Sequence, residues 1–379
     1  MSQQKITKVA SMAASVSKFI PRTVFPDYRV SLADFKGHHV VAMTKLTQLA
    51  PQIDLVLEVR DSRAPISTGN VLLDRPLQGK DKIVLYSKSD LSNLDPQLLK
   101  KWHRSESEYM IFNSNSDRDK KKLLQLCKQK HAEMYPPPPL GLRMIVTGMP
   151  NVGKSVIVNN LRRLGMGGKR NGYGKNVART GGQPGVTRST SEVIWISKSP
   201  SIYVYDTPGV SLPQAKNSET MITLALVGAV KPTKVDPVIV ADYLLYVLNL
   251  QDPTGGLYSD YLKDPTNDIS VLLRAIAIKL KKYRYVDKKI VVDETGTAIH
   301  WVDKWRQGRT KKKVVFEAAA IPGATEANES KDFLEQRFVD EKERVNRMDI
   351  DLNRTGKSSI NARRAFKQKR ADRANLLFR

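Results

Sequence analysis

Along the first half of the chain, short apolar runs alternate with polar, turn-forming stretches. The runs are Ile53 to Val59, Lys82 to Tyr86, Tyr109 to Phe112, Leu142 to Val146 and Ile202 to Tyr205. Each has the length of a strand and is followed within two residues by Asp, Ser, Asn or Gly, the pattern of buried strands that open into loops at their C-terminal ends. Behind the fourth run, Val156 to Leu164 has helical spacing. Together these features predict an α/β fold built on a doubly wound sheet. From Thr220 to Leu250, and again from Asp268 to Val286, apolar residues recur at helical spacing, with Ile269, Leu272, Leu273, Ile276, Ile278 and Leu280 as one buried set. A smaller α-helical C-terminal domain is predicted there. Farther on, apolar residues thin out past Lys311-Lys312-Lys313, and Pro322 to Asp332 reads as a linker.

Composition sharpens this picture. With 379 residues, 40% apolar and 7% aromatic, the chain can bury real cores, which excludes a wholly disordered protein. Its 63 Lys and Arg against 38 Asp and Glu leave a net charge of +25, a field that favours RNA, DNA or an acidic membrane surface. Cys127 alone cannot build a disulfide framework, and His38, His39, His103, His131 and His300 do not join it at zinc-ligand spacing. These counts argue against a secreted, disulfide-stapled protein and against a structural zinc module. No apolar run reaches the roughly 18 residues of a membrane span. Even Val238 to Leu250 contains Asp242 and Asn249, so a soluble or peripherally bound chain is expected.

Before Asp27 the chain holds Lys5, Lys8, Lys18 and Arg22, four serines and no acid. Ile6, Val9, Met12, Ala13, Val16, Phe19 and Ile20 recur there at helical spacing, as in a mitochondrial transit segment. The alternative is a basic tail on a cytosolic or nucleolar protein. Residues 1–30 are taken as the transit segment.

Gly148-Met149-Pro150-Asn151-Val152-Gly153-Lys154-Ser155 is a complete G-x-x-x-x-G-K-S phosphate loop between a strand and a helix. Its glycines let backbone N–H groups close around phosphates, Lys154 neutralises the terminal ones and Ser155 can ligate Mg²⁺. Val152, Gly153 and Val156 complete the cradle. Asp206-Thr207-Pro208-Gly209 follows a later strand, where Asp206 can hold Mg²⁺ through water and Gly209 can offer its N–H to the terminal phosphate. Between them, Thr180 to Thr187 ends in a hydroxyl, Thr187, placed to complete the Mg²⁺ shell. Base recognition falls to Ser87-Lys88-Ser89-Asp90. Asp90 can accept hydrogen bonds from guanine N1–H and its exocyclic amine, while Lys88 covers the ring, which selects GTP over ATP. Asn113-Ser114-Asn115, after another strand, fits the loop that supports the base carbonyl.

The nucleotide motifs thus run fourth, fifth, first, second, third. In that order the sequence resembles the circularly permuted GTPases of the YlqF/RbgA type, specifically their mitochondrial branch, mitochondrial GTPase 1. The resemblance spans Phe35 to Leu250 and includes Asp61-Ser62-Arg63-Ala64-Pro65, similar to the family's D-A-R-x-P, and Leu224 to Lys231, which matches its post-switch helix. Tyr135 to Leu140, rich in proline, would then join the original termini as a short stiff linker. Three departures stand out. Ser87 occupies the usual Asn position. Gly165 to Gly174 looks like an insertion, with Lys169 and Arg170 able to touch RNA. The family's P-G-H-M survives only as Gly37-His38 within Phe35 to His39.

The resemblance implies further roles. Val210 stands where Ras-like enzymes orient water with Gln. His38, with His39 as a local substitute, would position the water instead, and Asn151 would ligate K⁺. Lys154, Thr187 and His38 are therefore the catalytic candidates, and a low intrinsic rate is expected. Arg354 to Arg379 has nine basic residues and one acid, net +8, interleaved with apolar ones, a segment suited to structured RNA. The implied organisation is a GTPase domain over 31–215, a helical domain over 216–310 and a basic, partly disordered RNA-binding extension over 311–379. The implied activity is GTP hydrolysis by a monomer assembling the mitochondrial large ribosomal subunit. Its partners would be GTP and GDP, large-subunit rRNA and the assembling particle, not DNA. Its place would be the matrix, with peripheral contact on the inner membrane. A non-enzymatic RNA scaffold with a vestigial nucleotide fold, or a cytosolic or nucleolar assembly GTPase, are the alternatives.

Overall fold

The computed structural model describes residues 19–34, 37–103, 108–167, 193–207, 209–286, 289–324, 328 and 330–348. Residues 1–18 of the expected 1–30 transit segment and the tail from residue 349 lie outside them. So do residues 168–192, which hold Lys169, Arg170, Thr187 and the Thr180 to Thr187 segment. Residues 19–30, by contrast, are described and part of them is packed, with Phe25 in the main core and Arg22 paired to Asp242 at 2.7 Å.

Six strands form one sheet: β1 (Leu55–Asp61), β2 (Asp81–Ser87), β3 (Glu108–Ile111), β4 (Leu142–Gly148), β5 (Ile194–Lys198) and β6 (Ser201–Asp206). They lie in the order β3-β2-β1-β4-β6-β5, all parallel except β5, which runs antiparallel to β6. The five strands expected from sequence are present, and β5 adds one that the apolar pattern did not mark. Parallel pairing aligns the C-terminal ends of β1, β2, β3, β4 and β6, so the loops leaving those strands share one rim of the sheet.

Strand alternation divides the sheet into two faces. Leu55, Leu57, Ile83, Leu85, Met144 and Val146 join the main core with Leu123 of α3 (Asp117–Glu133) and Ile157 and Leu161 of α4 (Lys154–Gly165). Val56 and Ile145 face the other way, against Ala42 and Leu46 of α1 (Gly37–Leu49) and Val345. Helices on both faces make the sheet doubly wound. Between α3 and β4, Tyr135 and Leu140 of the proline-rich linker are exposed. The short α2 (Pro96–Trp102) precedes β3.

The C-terminal half departs from the helical spacing in two places. Thr220 to Leu250 is two helices, α5 (Ser218–Val227) and α6 (Pro237–Gln251), separated by Gly228 at φ +78° and by Pro232 and Pro237. Asp268 to Val286 is helical only through α7 (Ile269–Lys279). Lys281 takes φ +55°, and the Lys282 N–H closes the helix end on the Ala277 carbonyl at 2.8 Å. The chain then forms an antiparallel ribbon, β7 (Tyr283–Val286) and β8 (Lys289–Val292), because aromatic and β-branched residues dominate there. Ile278 of the expected buried set is exposed, whereas Leu272, Leu273 and Ile276 are fully buried. Beyond the ribbon come α8 (Glu294–Arg306) and a last helix over 333–348, α9.

Part of the stretch expected as a basic extension is packed. Val314, Val315 and Phe316 are buried in the main core, and the Phe316 N–H donates to the Arg63 carbonyl at 2.7 Å. Glu317 accepts from the Ile66 and Ser67 N–H groups, each at 2.9 Å, and from the Ser67 hydroxyl at 2.5 Å. Trp102 donates its indole N–H to the Asn328 carbonyl at 2.8 Å. In α9, Arg344 reaches the Gln214 carbonyl at 2.7 Å while Phe338 lies 4.4 Å from the Arg60 guanidinium.

Candidate nucleotide site

β4 runs into the phosphate loop because Gly148 takes φ +140°, a conformation no larger residue adopts easily, with the Val59 carbonyl packed against it. Gly153, at φ +101°, caps the start of α4 in the left-handed region, and Asn151 is also left-handed at φ +59°. The buried Lys154 ammonium turns back into the loop, donating to the Met149 carbonyl at 2.7 Å and to the Gly148 carbonyl at 3.3 Å. A lysine held inside a loop at the N-terminus of a twelve-residue helix makes an anion site. Ser155 is half-buried on the first turn and Val156 is exposed beside it.

The two base-recognition loops stand on the neighbouring strand ends and touch this one. Ser87, buried at the end of β2, places its hydroxyl 2.5 Å from the Val152 carbonyl and 3.0 Å from the Arg60 carbonyl, so its one proton fastens the loop to a neighbouring strand end. Lys88 takes φ +56° and donates to the Asn151 carbonyl at 2.7 Å and to Asp61 at 2.8 Å. Asp90 accepts from the Asn115 amide at 3.1 Å. Asn113 shapes its own loop by accepting the Asn115 N–H at 2.8 Å, and the Ser114 carbonyl accepts from Asn160 of α4 at 3.3 Å. The Ser89 N–H reaches the Phe112 carbonyl at 3.4 Å. Segments 87–90, 113–115 and 148–155, separated along the chain, are therefore adjacent in space.

Behind Lys88 lies a buried ion network to which the sequence alone assigned no role. Asp61 accepts two bonds from the Arg63 guanidinium, at 3.0 and 2.8 Å, one from the Arg63 backbone N–H at 3.0 Å, and the Lys88 bond, while Arg63 also donates to the Arg306 carbonyl at 2.7 Å. Burial would raise the Asp61 carboxyl, but the cations of Arg63 and Lys88 outweigh it and hold the group well below the usual carboxylate range. Burial dominates at Lys88 and lowers its ammonium despite Asp61. The signal in the sequence was the Asp61-Ser62-Arg63 strand end, whose charges sit in an otherwise apolar run.

The third side of the rim is the loop after β6. Thr207 bonds the Val146 carbonyl at 2.7 Å. A Cβ added at Gly209 would lie 2.6 Å from Pro150 Cα, so this loop abuts the phosphate loop closely enough to require glycine. Val210 is buried. Its N–H donates to the Gly148 carbonyl at 3.3 Å and its carbonyl accepts from Asn70 at 2.6 Å. His39 is also buried, with Nδ1 accepting the Ser211 N–H at 3.4 Å, so the start of α1 meets the same loop. The side chains of His38 and Asp206 lie outside the described residues.

The metal candidates are oxygen donors: the Ser155 and Thr187 hydroxyls and the Asp206 carboxylate. That set suits Mg²⁺, which takes few protein oxygens and completes its shell with phosphate and water. No group of three His, Cys, Asp or Glu that could hold a metal occurs among the described residues. Asn151, the K⁺ candidate, donates its side-chain amide to the Gly228 carbonyl at 2.8 Å and so ties the phosphate loop to the end of α5.

Known proteins are similar to this chain in sequence. The sequence profile described as a 50S ribosome-binding GTPase matches residues 143–282. A Saccharomyces cerevisiae protein named Mitochondrial GTPase 1 is 38% identical over 317 residues, covering 77% of this chain and 83% of that one. The Mus musculus protein named Mitochondrial ribosome-associated GTPase 1 is 33% identical over 261 residues, covering 66% of this chain and 77% of its own. A solved GDP-bound YlqF structure overlays with a TM-score of 0.47 at 20% identity, covering 72% of this chain and 98% of that one.

Proposed function

This chain belongs to the mitochondrial GTPase 1 family of circularly permuted P-loop GTPases, and we propose that it is a GTP-gated assembly factor for the mitochondrial large ribosomal subunit. It is a GTPase. The observation that supports the reading most is the contact of three loops in permuted order, with Ser87 at the Val152 carbonyl and Lys88 at the Asn151 carbonyl. Within it, Lys154 and the backbone of 148–155 hold the phosphates. Asp90, Lys88, Ser89, Asn113 and Ser114 hold guanine. Gly209 presents its N–H to the terminal phosphate. Magnesium, when bound, neutralises charge developing on the transferred phosphoryl group, and Ser155, Thr187 and Asp206 are the residues proposed to hold it.

Val210 is aliphatic and buried, so water must be oriented from elsewhere. Proximity of α1 to Ser211 supports His38 in that role, with a K⁺ at Asn151 as the added charge. The loop after Gly209 is bracketed by the Ala33–Gln214 bridge and by Arg344 of α9. Nucleotide state can thereby reach both the N-terminal segment and α9, which leads into the basic tail proposed to bind rRNA. The proposed compartment is the mitochondrial matrix, with a peripheral position at the inner membrane.

Gradient sedimentation of the full-length protein with mitochondrial large subunits tests the role. Co-migration with a non-hydrolysable GTP analogue and release with GDP are expected. Equal migration in both states contradicts nucleotide gating.

A further inference from the structure

A polar cluster lies beside the loop that follows Gly209, within an otherwise apolar part of the molecule. Ser211 is 1% exposed, His39 3% and Asp34 8%, while Val210 and Leu212 on either side of Ser211 belong to the second core with Ala42 and Leu46. Three segments distant along the chain meet there. His39 Nδ1 accepts the Ser211 N–H at 3.4 Å, and Asp34 Oδ2 accepts the Ser211 hydroxyl at 3.2 Å. The Lys234 ammonium, from the stretch between α5 and α6, lies 3.8 Å from Asp34 Oδ1 and donates to the Ala33 carbonyl at 2.6 Å. An imidazole nitrogen that accepts is unprotonated, so the His39 ring proton sits on Nε2.

Buried polar groups cost free energy unless they are paired, and apolar side chains would fill the same space without that cost. What the pairing adds is direction. Apolar contact is non-directional, whereas these bonds fix where Ser211 lies relative to α1. That direction has a use, because Ser211 follows Gly209 by two residues and His39 follows His38 by one. The Ser211–His39 bond therefore fixes the spacing between the backbone proposed to meet the terminal phosphate and the helix turn proposed to supply the residue that orients water. Val210, between Gly209 and Ser211, donates its N–H to the Gly148 carbonyl at 3.3 Å and so keeps the loop in the frame of the phosphate loop.

We propose that Asp34, His39 and Ser211 form a latch of positioning residues for GTP hydrolysis, holding the Gly209 loop against the start of α1. It rests on the roles proposed for Gly209 and His38. Held in this way, His39 serves the loop instead of standing in for His38. A misplacement of about 1 Å at a reacting centre can cost about a hundredfold in rate. Loss of the latch therefore falls on turnover, while nucleotide affinity stays with 87–90 and 148–155.

Single-turnover GTP hydrolysis by the full-length protein tests this, with affinity for a fluorescent non-hydrolysable GTP analogue measured alongside. His39→Leu slows hydrolysis roughly tenfold to a hundredfold and binds the analogue as the parent does. His39→Asn, whose Oδ1 can accept the Ser211 N–H in place of Nδ1, recovers most of the rate. Asp34→Ala and Ser211→Ala each slow the reaction, and the double variant is no slower than the slower single one, as expected of two partners in one bond. That pair decides the matter should His39→Leu fold poorly. The latch is overturned if His39→Leu hydrolyses GTP at the parent rate, if the asparagine variant stays as slow as the leucine one, or if the effects of Asp34→Ala and Ser211→Ala multiply. A slow His38→Ala variant beside a normal His39→Leu variant would sink the latch and leave the roles of Gly209 and His38 standing. The reverse would remove His38 from orienting water and keep the latch, acting on Gly209.

Discussion

Asp61 and Arg63 have side chains only 1% exposed, and the second face of the sheet holds another buried pair, Glu58 and Arg60, at 2.6 Å. Breaking a buried pair strands its partner, so Asp61→Asn is expected to cost about 3–5 kcal/mol in urea unfolding. It should also loosen Lys88, the residue proposed to cover guanine. These groups give the protein a pH dependence of definite sign. Burial would raise Glu58, but Arg60 and Lys82 outweigh it and hold the carboxyl at about 2. His103 is pushed down to about 4, first by burial and then by Arg60 and Lys82, while its Nε2 lies 2.8 Å from the Tyr86 hydroxyl. In each case the unfolded chain binds protons more readily, so the stabilisation is fully present above the unfolded value and lost as pH falls through the folded one. Stability should therefore fall first from about pH 6.5 towards 4, as the unfolded chain takes up a proton at His103 that the folded protein refuses. A second loss sets in below about pH 4, as the same happens at Glu58 and Asp61. Glu317, raised by burial, opposes this trend. Urea midpoints from pH 7 to 3 check it, and His103→Phe should flatten the upper limb; an unchanged slope in that variant would contradict the assignment. Lys154 and Ser155 could be placed from sequence because their motif is contiguous. The Asp61–Lys88 pair could not, because its partners are on different strands.

Among elements, the end of α5 joins the helices to the nucleotide rim. Gly228 sits in the left-handed region at φ +78°, and its carbonyl accepts from Asn151. Arg306 of α8 caps the same helix end, donating to the Leu226 and Ala225 carbonyls, each at 3.0 Å. Gly228→Ala should lower stability by about 1–2 kcal/mol through backbone strain alone. Because Asn151 is attached there, it should also weaken GTP binding; full stability with full affinity would contradict the link. The helix continuing to Val286 that spacing suggested gives way to a strand after Lys281, since a 3.6-residue period over a short window cannot distinguish YRYV from a last helical turn. The packed segment 314–321 was equally hidden. Val314 to Phe316 follow a lysine run yet lie in the main core, where Phe316 and the adjoining Glu317 bond Arg63 and Ser67, some 250 residues away.

At the scale of the molecule, permutation changes the order of the chain but not the rim of the sheet. Strands β2, β3, β4 and β6 deliver their loops to one edge whatever order the chain visits them, which is why motif order could be read from sequence and contact between the loops could not. The chain carries a net charge of +25, which favours polyanionic partners. The central claim is that the loops from these strands close on one guanine nucleotide with its magnesium. Calorimetric titration of the full-length protein with a non-hydrolysable GTP analogue and Mg²⁺ tests it most directly. One site is expected, with the ATP analogue far weaker and the preference abolished in Asp90→Ala. No heat from the folded protein, or a preference for the adenine nucleotide, would contradict the account.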